Sequence, residues 1–113
     1  MIVVAGWVEF APGRRDDAVE GGRALQEATR RDEPGCLAYV FAADPLVADR
    51  VSIYECWTDA DALQAHFAHD NYKGMLAHLG ACQITAMDVA KHEVARSAPV
   101  YTPEMVADAT WWG

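Results

Sequence analysis

The sequence predicts an α+β fold of the ferredoxin-like type, β-α-β-β-α-β, with one antiparallel sheet and helices on one of its faces. Three observations predict it. Short runs rich in β-branched and aromatic residues alternate with segments whose apolar residues recur at helical spacing. Pro12-Gly13, Pro34-Gly35 and Asp44-Pro45 punctuate those runs where turns are needed. The first two strands are apolar on both faces, which a lone sheet with one layer of helices does not require.

The first strand is "IVVAGWVEF", about residues 2–10, ended by Pro12-Gly13. Residues 14–33 are charge-rich and free of proline, and Ala18, Gly22, Leu25 and Thr29 form a thin helical stripe. Gly21-Gly22 either weakens this helix or marks close packing on the sheet. Pro34-Gly35 stops it. "CLAYVFAA" is the second strand, and "RVSIYECW", about residues 50–57, is the third. Thr58-Asp59-Ala60-Asp61 has the form of a capping box, and Ala60, Leu63 and Phe67 form the stripe of the helix it opens. Asp70-Asn71 breaks that helix. Tyr72, Met75, Leu76 and Leu79 then give the apolar face of a short helix that Gly80 ends. The last strand spans about residues 82–95.

One domain covers residues 1–95, and 96–113 form a C-terminal tail. Trp111-Trp112 would be costly exposed surface, so the tail is expected to pack on a partner subunit. On the first strand Ile2, Val4, Val8 and Phe10 point one way, and Val3, Ala5 and Trp7 the other. The second sets Leu37, Tyr39 and Phe41 against Ala38, Val40 and Ala42. Helices cover one face only, so a second copy is expected on the other, as a homodimer burying ~800 Å² per subunit.

The 113 residues include 17 acidic and 9 basic ones, a formal net charge of −8. That argues against nucleic acid or an anionic membrane as partner, since both select clustered Lys and Arg. Cys36, Cys56 and Cys82 are far apart, and there is no C-x-x-C pair. Reduced, buried thiols in a cytoplasmic protein are expected, with no metal site. The apolar start lacks a basic leader and is cut short by Pro12, so neither a signal peptide nor a membrane span is expected.

"EPGCLAYVFAADP" followed by "YECWTDADALQAHFAHDNYKGML" resembles the antibiotic biosynthesis monooxygenase family of dimeric α+β barrels. The resemblance rests on Glu33-Pro34-Gly35-Cys36, on Glu55-x-Trp57 at a strand end and on Leu63-x-Ala65-His66 in the helix, and covers about residues 2–95. It implies one pocket per subunit between sheet and helices. Catalytic members oxygenate quinols, anthrones or related phenols with O₂ and no cofactor. Others degrade haem, isomerise small signal molecules or have no known activity. Anthrone-oxygenating relatives tend to place an asparagine a few residues before the tryptophan, where this chain has Ile53. Haem-degrading relatives place an asparagine and an iron-ligating histidine where this chain has Trp7 and Leu76.

Oxygenation without a cofactor needs a base, donors for the resulting anion and a dry aromatic pocket, because the deprotonated substrate supplies the electrons. His66 flanks the buried stripe of its helix and is the candidate base, the alternative being a packed histidine satisfied by backbone. Glu55 shares a strand face with Ile53 and Trp57. It either orients His66 or pairs with Arg50 or Lys91. Trp57 is a pocket wall whose indole donates to substrate, or a core residue. Asn71 and Tyr72, at the helix break, are candidate substrate contacts, with Tyr72 also readable as core. Trp7 and Tyr39 line the pocket or the dimer interface. His69, His78 and His92 share no spacing with acids or thiols and read as surface or interface residues. The expected function is a cofactor-independent monooxygenase acting on a quinol- or polyphenol-like aromatic. The alternative is a binding protein or an isomerase using the same pocket.

Overall fold

The computed structural model describes residues 1–111. Strands and helices alternate as β1 (Ile2–Phe10), α1 (Arg15–Asp32), β2 (Cys36–Ala43), β3 (Arg50–Trp57), α2 (Ala60–Ala68), α3 (Asp70–Ala81) and β4 (Ile84–Glu93). The four strands form one antiparallel sheet in the order β2-β3-β1-β4. The predicted order of elements is therefore the observed one. β1 lies at the centre because its apolar residues are buried between two neighbours, with Val4 opposite Glu55 on one side and Lys91 on the other.

One sheet face carries the core. Val4, Val8 and Phe10 of β1, Val51, Ile53 and Trp57 of β3 and Tyr39 and Phe41 of β2 pack under Ala18, Leu63, Met75 and Leu79 of the helices. Leu37 departs from its expected face. A bulge between Cys36 and Ala38 shifts the register, so Leu37 points to solvent at 55% exposure. The glycines of α1 also act differently from a sheet contact. They face α3, where a Cβ on Gly22 would sit 3.2 Å from the Met75 sulfur and one on Gly21 would strike the His78 ring. His78 Nε2 lies 3.1 Å from the Ala18 carbonyl and 3.2 Å from that of Asp17, so this histidine joins the two helices.

The N-cap of α2 is Asp59, one residue after the expected Thr58, and its carboxylate accepts from the Ala62 N–H. The break between α2 and α3 falls at His69, which is extended (φ −79°, ψ 147°). Its Nδ1 accepts from the Asn71 N–H and caps α3. α3 runs past Gly80 to Ala81.

The two sheet edges differ. On the outer edge of β2, the Gln26 carboxamide accepts from the Phe41 N–H and donates to the Phe41 C=O, as a neighbouring peptide would. Arg30 Nε donates to the Tyr39 carbonyl on the same edge, and Arg15 reaches the carbonyls of Asp44 and Val47 just beyond it. Side chains of α1 thereby satisfy backbone groups that an edge strand leaves open. Among the described residues, β4 has only β1 as a strand neighbour.

The face away from the helices carries Val3, Ala5 and Trp7 of β1, Val40 of β2 and Tyr54 of β3, with Val40 and Tyr54 exposed. Trp7 lies here, under the Arg50 guanidinium at 3.9 Å, and Arg50 in turn donates to Glu9. After β4 the tail forms a small hairpin closed by the Tyr101–Ala107 bridge. Trp112 lies outside the described residues. None of the described helices is long and apolar enough to cross a membrane.

Candidate functional site

α2 and α3 stand off from the sheet and leave a cavity of about 530 Å³. Its walls are largely apolar: Val4, Phe41, Ile53, Leu63 and Met75 among them. Tyr39, Glu55, His66 and Tyr72 bring polar atoms to it.

His66 is 1% exposed and projects from the face of α2 that carries Leu63. Its Nδ1 lies 2.7 Å from Glu33 Oε1. A carboxylate can only accept, so Nδ1 carries the hydrogen and donates. Glu33 is 7% exposed, and its second oxygen accepts from Asn71 Nδ2 at 3.1 Å. Both oxygens of a buried charge are thus satisfied, which removes most of its desolvation penalty. Among the described residues, Nε2 of His66 has no hydrogen-bond partner and is not sealed off. Burial holds His66 below its ordinary pKa, against the opposing pull of Glu33. The ring is therefore neutral near pH 7, with a lone pair on Nε2.

Aromatic rings fix the imidazole in place. Trp57 lies 4.5 Å away between centroids and Tyr39 and Tyr72 at 5.4 Å each, the last two edge-on.

Glu55 does not orient His66, nor does it pair with Arg50 or Lys91. Its Oε1 accepts from the Trp57 indole at 3.0 Å. The strand geometry accounts for this: residues two apart share a face, so Glu55 and Trp57 are immediate neighbours. Arg50 is taken by Glu9. Glu55 is 8% exposed, and burial pushes its pKa up to about 7, with the Trp57 hydrogen bond opposing and the nearby Glu33 charge adding to the rise.

A carboxyl with a raised folded pKa holds its proton more tightly in the folded state than in the unfolded one. Stability then falls as pH rises from about 4.5, the unfolded value, to about 7, and stays lower above. The size is on the order of 3 kcal/mol. Glu55→Gln keeps an acceptor for Trp57 and removes the charge. It should melt higher than the wild type at pH 8 and close to it at pH 4.5. Equal melting differences at both pH values would show that Glu55 is not held protonated.

Three other predicted site residues do not line the cavity, and two of them take their alternative readings, Trp57 as core and Trp7 on the face expected for the dimer. Trp57 is fully buried behind His66, and its N–H is spent on Glu55, so it cannot donate to a ligand. Asn71 does not line the cavity and serves Glu33 instead. Trp7 lies on the opposite sheet face. Tyr39 and Tyr72 do line the cavity. Burial raises the Tyr39 pKa, so its phenol stays protonated as a potential donor. Glu33 was visible in sequence only as part of the Glu-Pro-Gly-Cys stretch. The signal that could have found it is that a buried imidazole needs a partner, and an acid just before a proline turn sits at the end of α1, on the helix side of the sheet. Among the described residues, no group of three or more His, Cys, Asp or Glu could hold a metal ion.

The family model of the antibiotic biosynthesis monooxygenases matches residues 1–77. An uncharacterized protein of Synechocystis is 32% identical over 66 residues, 58% of this chain and 44% of that protein, so the chain spans less than half the length of this curated relative. A crystal structure named as an antibiotic biosynthesis monooxygenase superposes with a TM-score of 0.73 at 27% identity, covering 85% of this chain and all of the other. A candidate antibiotic biosynthesis monooxygenase from Deinococcus radiodurans gives a TM-score of 0.79 at 20% identity, covering 90% of this chain and 100% of that one. One from Caulobacter crescentus gives 0.76 at 21%, covering 84% and 90%. At those last two identities the likeness is one of fold.

Proposed function

The chain belongs to the antibiotic biosynthesis monooxygenase family, and on that basis we propose that it is a cofactor-independent monooxygenase that oxidises a quinol- or polyphenol-like aromatic with O₂. The observation that supports this best is the Glu33–His66 pair, buried at the wall of an apolar cavity with one ring nitrogen left free.

In this reading the quinol hydroxyl donates to His66 Nε2, which takes its proton. Glu33 stabilises the imidazolium through the Nδ1 hydrogen bond, as a carboxylate does in a catalytic triad. Glu55, while protonated, and the Tyr39 phenol offer donors to the second, developing oxyanion. They fill the role left open by Ile53. The deprotonated ring supplies the electrons to O₂. One oxygen atom enters the ring and the other leaves as water, so quinol plus O₂ gives hydroxyquinone plus H₂O. Apolar walls keep bulk water from the reactive anion.

The homodimer belongs to the same proposal. The sheet face away from the helices exposes Val40 and Tyr54 beside Val3, Ala5 and Trp7. A twin sheet would cover it, giving twice the 12.4 kDa chain mass by light scattering. A cytoplasmic location is part of the same proposal and is supported by the free cysteines.

The test is oxygen uptake by purified protein over a panel of quinols, wild type against His66→Ala. Uptake should fall by roughly 10²-fold or more in the variant. Its pH profile should be bell-shaped: rising as His66 loses its proton and falling as Glu55 loses its own near pH 7. Glu55→Gln, which retains a donor, should lose the alkaline limb. Ligand binding or isomerisation without oxygen uptake would overturn the oxygenase reading.

A further inference from the structure

We propose that the C-terminal hairpin of one subunit closes the cavity of its partner, so that each site is completed by the other chain. The proposal rests on the homodimer reading above and goes beyond it in naming what the tail does.

Besides the sheet face already described, two apolar surfaces among the described residues lack cover. The first is the hairpin. Its strands are tied by the Tyr101–Ala107 bridge and by hydrogen bonds from the Thr102 N–H to the Val106 carbonyl and from the Asp108 N–H to the Val100 carbonyl. Met105 takes a left-handed conformation, φ 62°, at the turn. Val100, Tyr101, Met105 and Val106 are all exposed, Met105 at 74%. An isolated two-stranded hairpin is marginal in water, and one that displays four large apolar side chains needs a surface to lie on. Its own domain does not supply one. The radius of gyration is 15.8 Å, where a compact chain of this length has about 13 Å, and the long axis reaches 45 Å.

The second surface is the open side of the cavity. Phe67 of α2, Leu76 of α3 and Met87 and Val89 of β4 line it and are exposed. Met87 and Val89 belong to β4, the edge strand that no described α1 side chain seals. No described residue of the tail lines the cavity of its own chain.

A second copy covers both surfaces at once. In a two-fold dimer the contact is reciprocal, so each tail meets the other cavity without any new partner. The chemistry also matches, since Val100, Met105 and Val106 would meet Phe67, Leu76 and Met87 with no charge buried between them.

Cross-linking decides it. In a Cys36→Ser background, chains carrying Met87→Cys are co-expressed with chains carrying Met105→Cys and treated with a short bis-maleimide. A parallel sample carries both substitutions in one chain. The mass in solution is read by light scattering. The expected result is a covalent dimer of unlike chains in the mixed sample and interchain products in the double variant. An intrachain link in the double variant overturns the proposal in favour of a tail that folds back on its own site. A dimer by light scattering with no cross-link overturns the tail contact and leaves the dimer standing. A monomer overturns both. The oxygenase reading is judged separately, by the His66→Ala assay.

Discussion

Glu33→Gln is expected to lower kcat for quinol-dependent oxygen uptake by roughly 10²- to 10⁴-fold with little change in KM. The reason lies in hydrogen-bond polarity. Asn71 donates to one oxygen of Glu33, so the amide oxygen of the glutamine takes that side. The amide NH₂ then faces His66 Nδ1, where the carboxylate accepted before. An NH₂ group can only donate, so Nδ1 must become the acceptor and the ring hydrogen moves to Nε2. The nitrogen facing the cavity loses its lone pair, and the charge that would stabilise the imidazolium is gone as well. The backbone has no reason to change, and circular dichroism should match the wild type. Because Glu33 touches the histidine rather than the substrate, the discriminating readout is the pH profile, whose acid limb should shift to lower pH or vanish. Unchanged kcat and pH profile in a folded variant would make Glu33 a packing residue and remove the proposed dyad.

Gly6→Ala is expected to cost about 3 kcal/mol or more, and to lower the melting temperature by about 12 °C or more. Gly6 has φ +153°, a backbone conformation that other residues rarely adopt. A Cβ there would also run into the backbone carbonyl oxygen of Asp88 on β4. Relief by backbone movement is blocked, because β1 is paired on both sides, Gly6 with Ile53 on β3 and with Val89 on β4. The strain would reach the cavity as well, since Val4 on the same strand forms part of its wall. Thermal melting checks the figure. A shift of only ~3 °C would show that the β1–β4 ladder yields more easily than its geometry implies.

The elements were readable because their signals are local. Alternation in "IVVAGWVEF", the Pro34-Gly35 stop and the spacing of Leu63, Met75 and Leu79 each depend on a few neighbouring residues, and each element formed where its signal lay. The site was less readable because its contacts are not local. Glu33 and His66 are 33 positions apart and meet only once α1 and α2 lie over the same sheet. Alternation puts Leu37 on one face with Tyr39 and Phe41, but a bulge resets the alternation and leaves no mark in composition. Glu55 and Trp57 show the same limit at short range. Their shared face was legible from the sequence. That the indole would fill the carboxylate, and thereby be lost to any ligand, depended on side-chain directions that only the folded strand fixes.

The carboxamide of Gln26 on the rim of β2 has a consequence for how these molecules meet one another. A sheet with two open rims can be extended from both ends, and such growth leads to fibres. Here one rim is stoppered by the chain's own helix, so recruitment through backbone pairing is left with a single direction. Edge-to-edge growth that can proceed one way only ends once two copies have met, so backbone pairing would not carry the proposed face-to-face dimer on into a polymer.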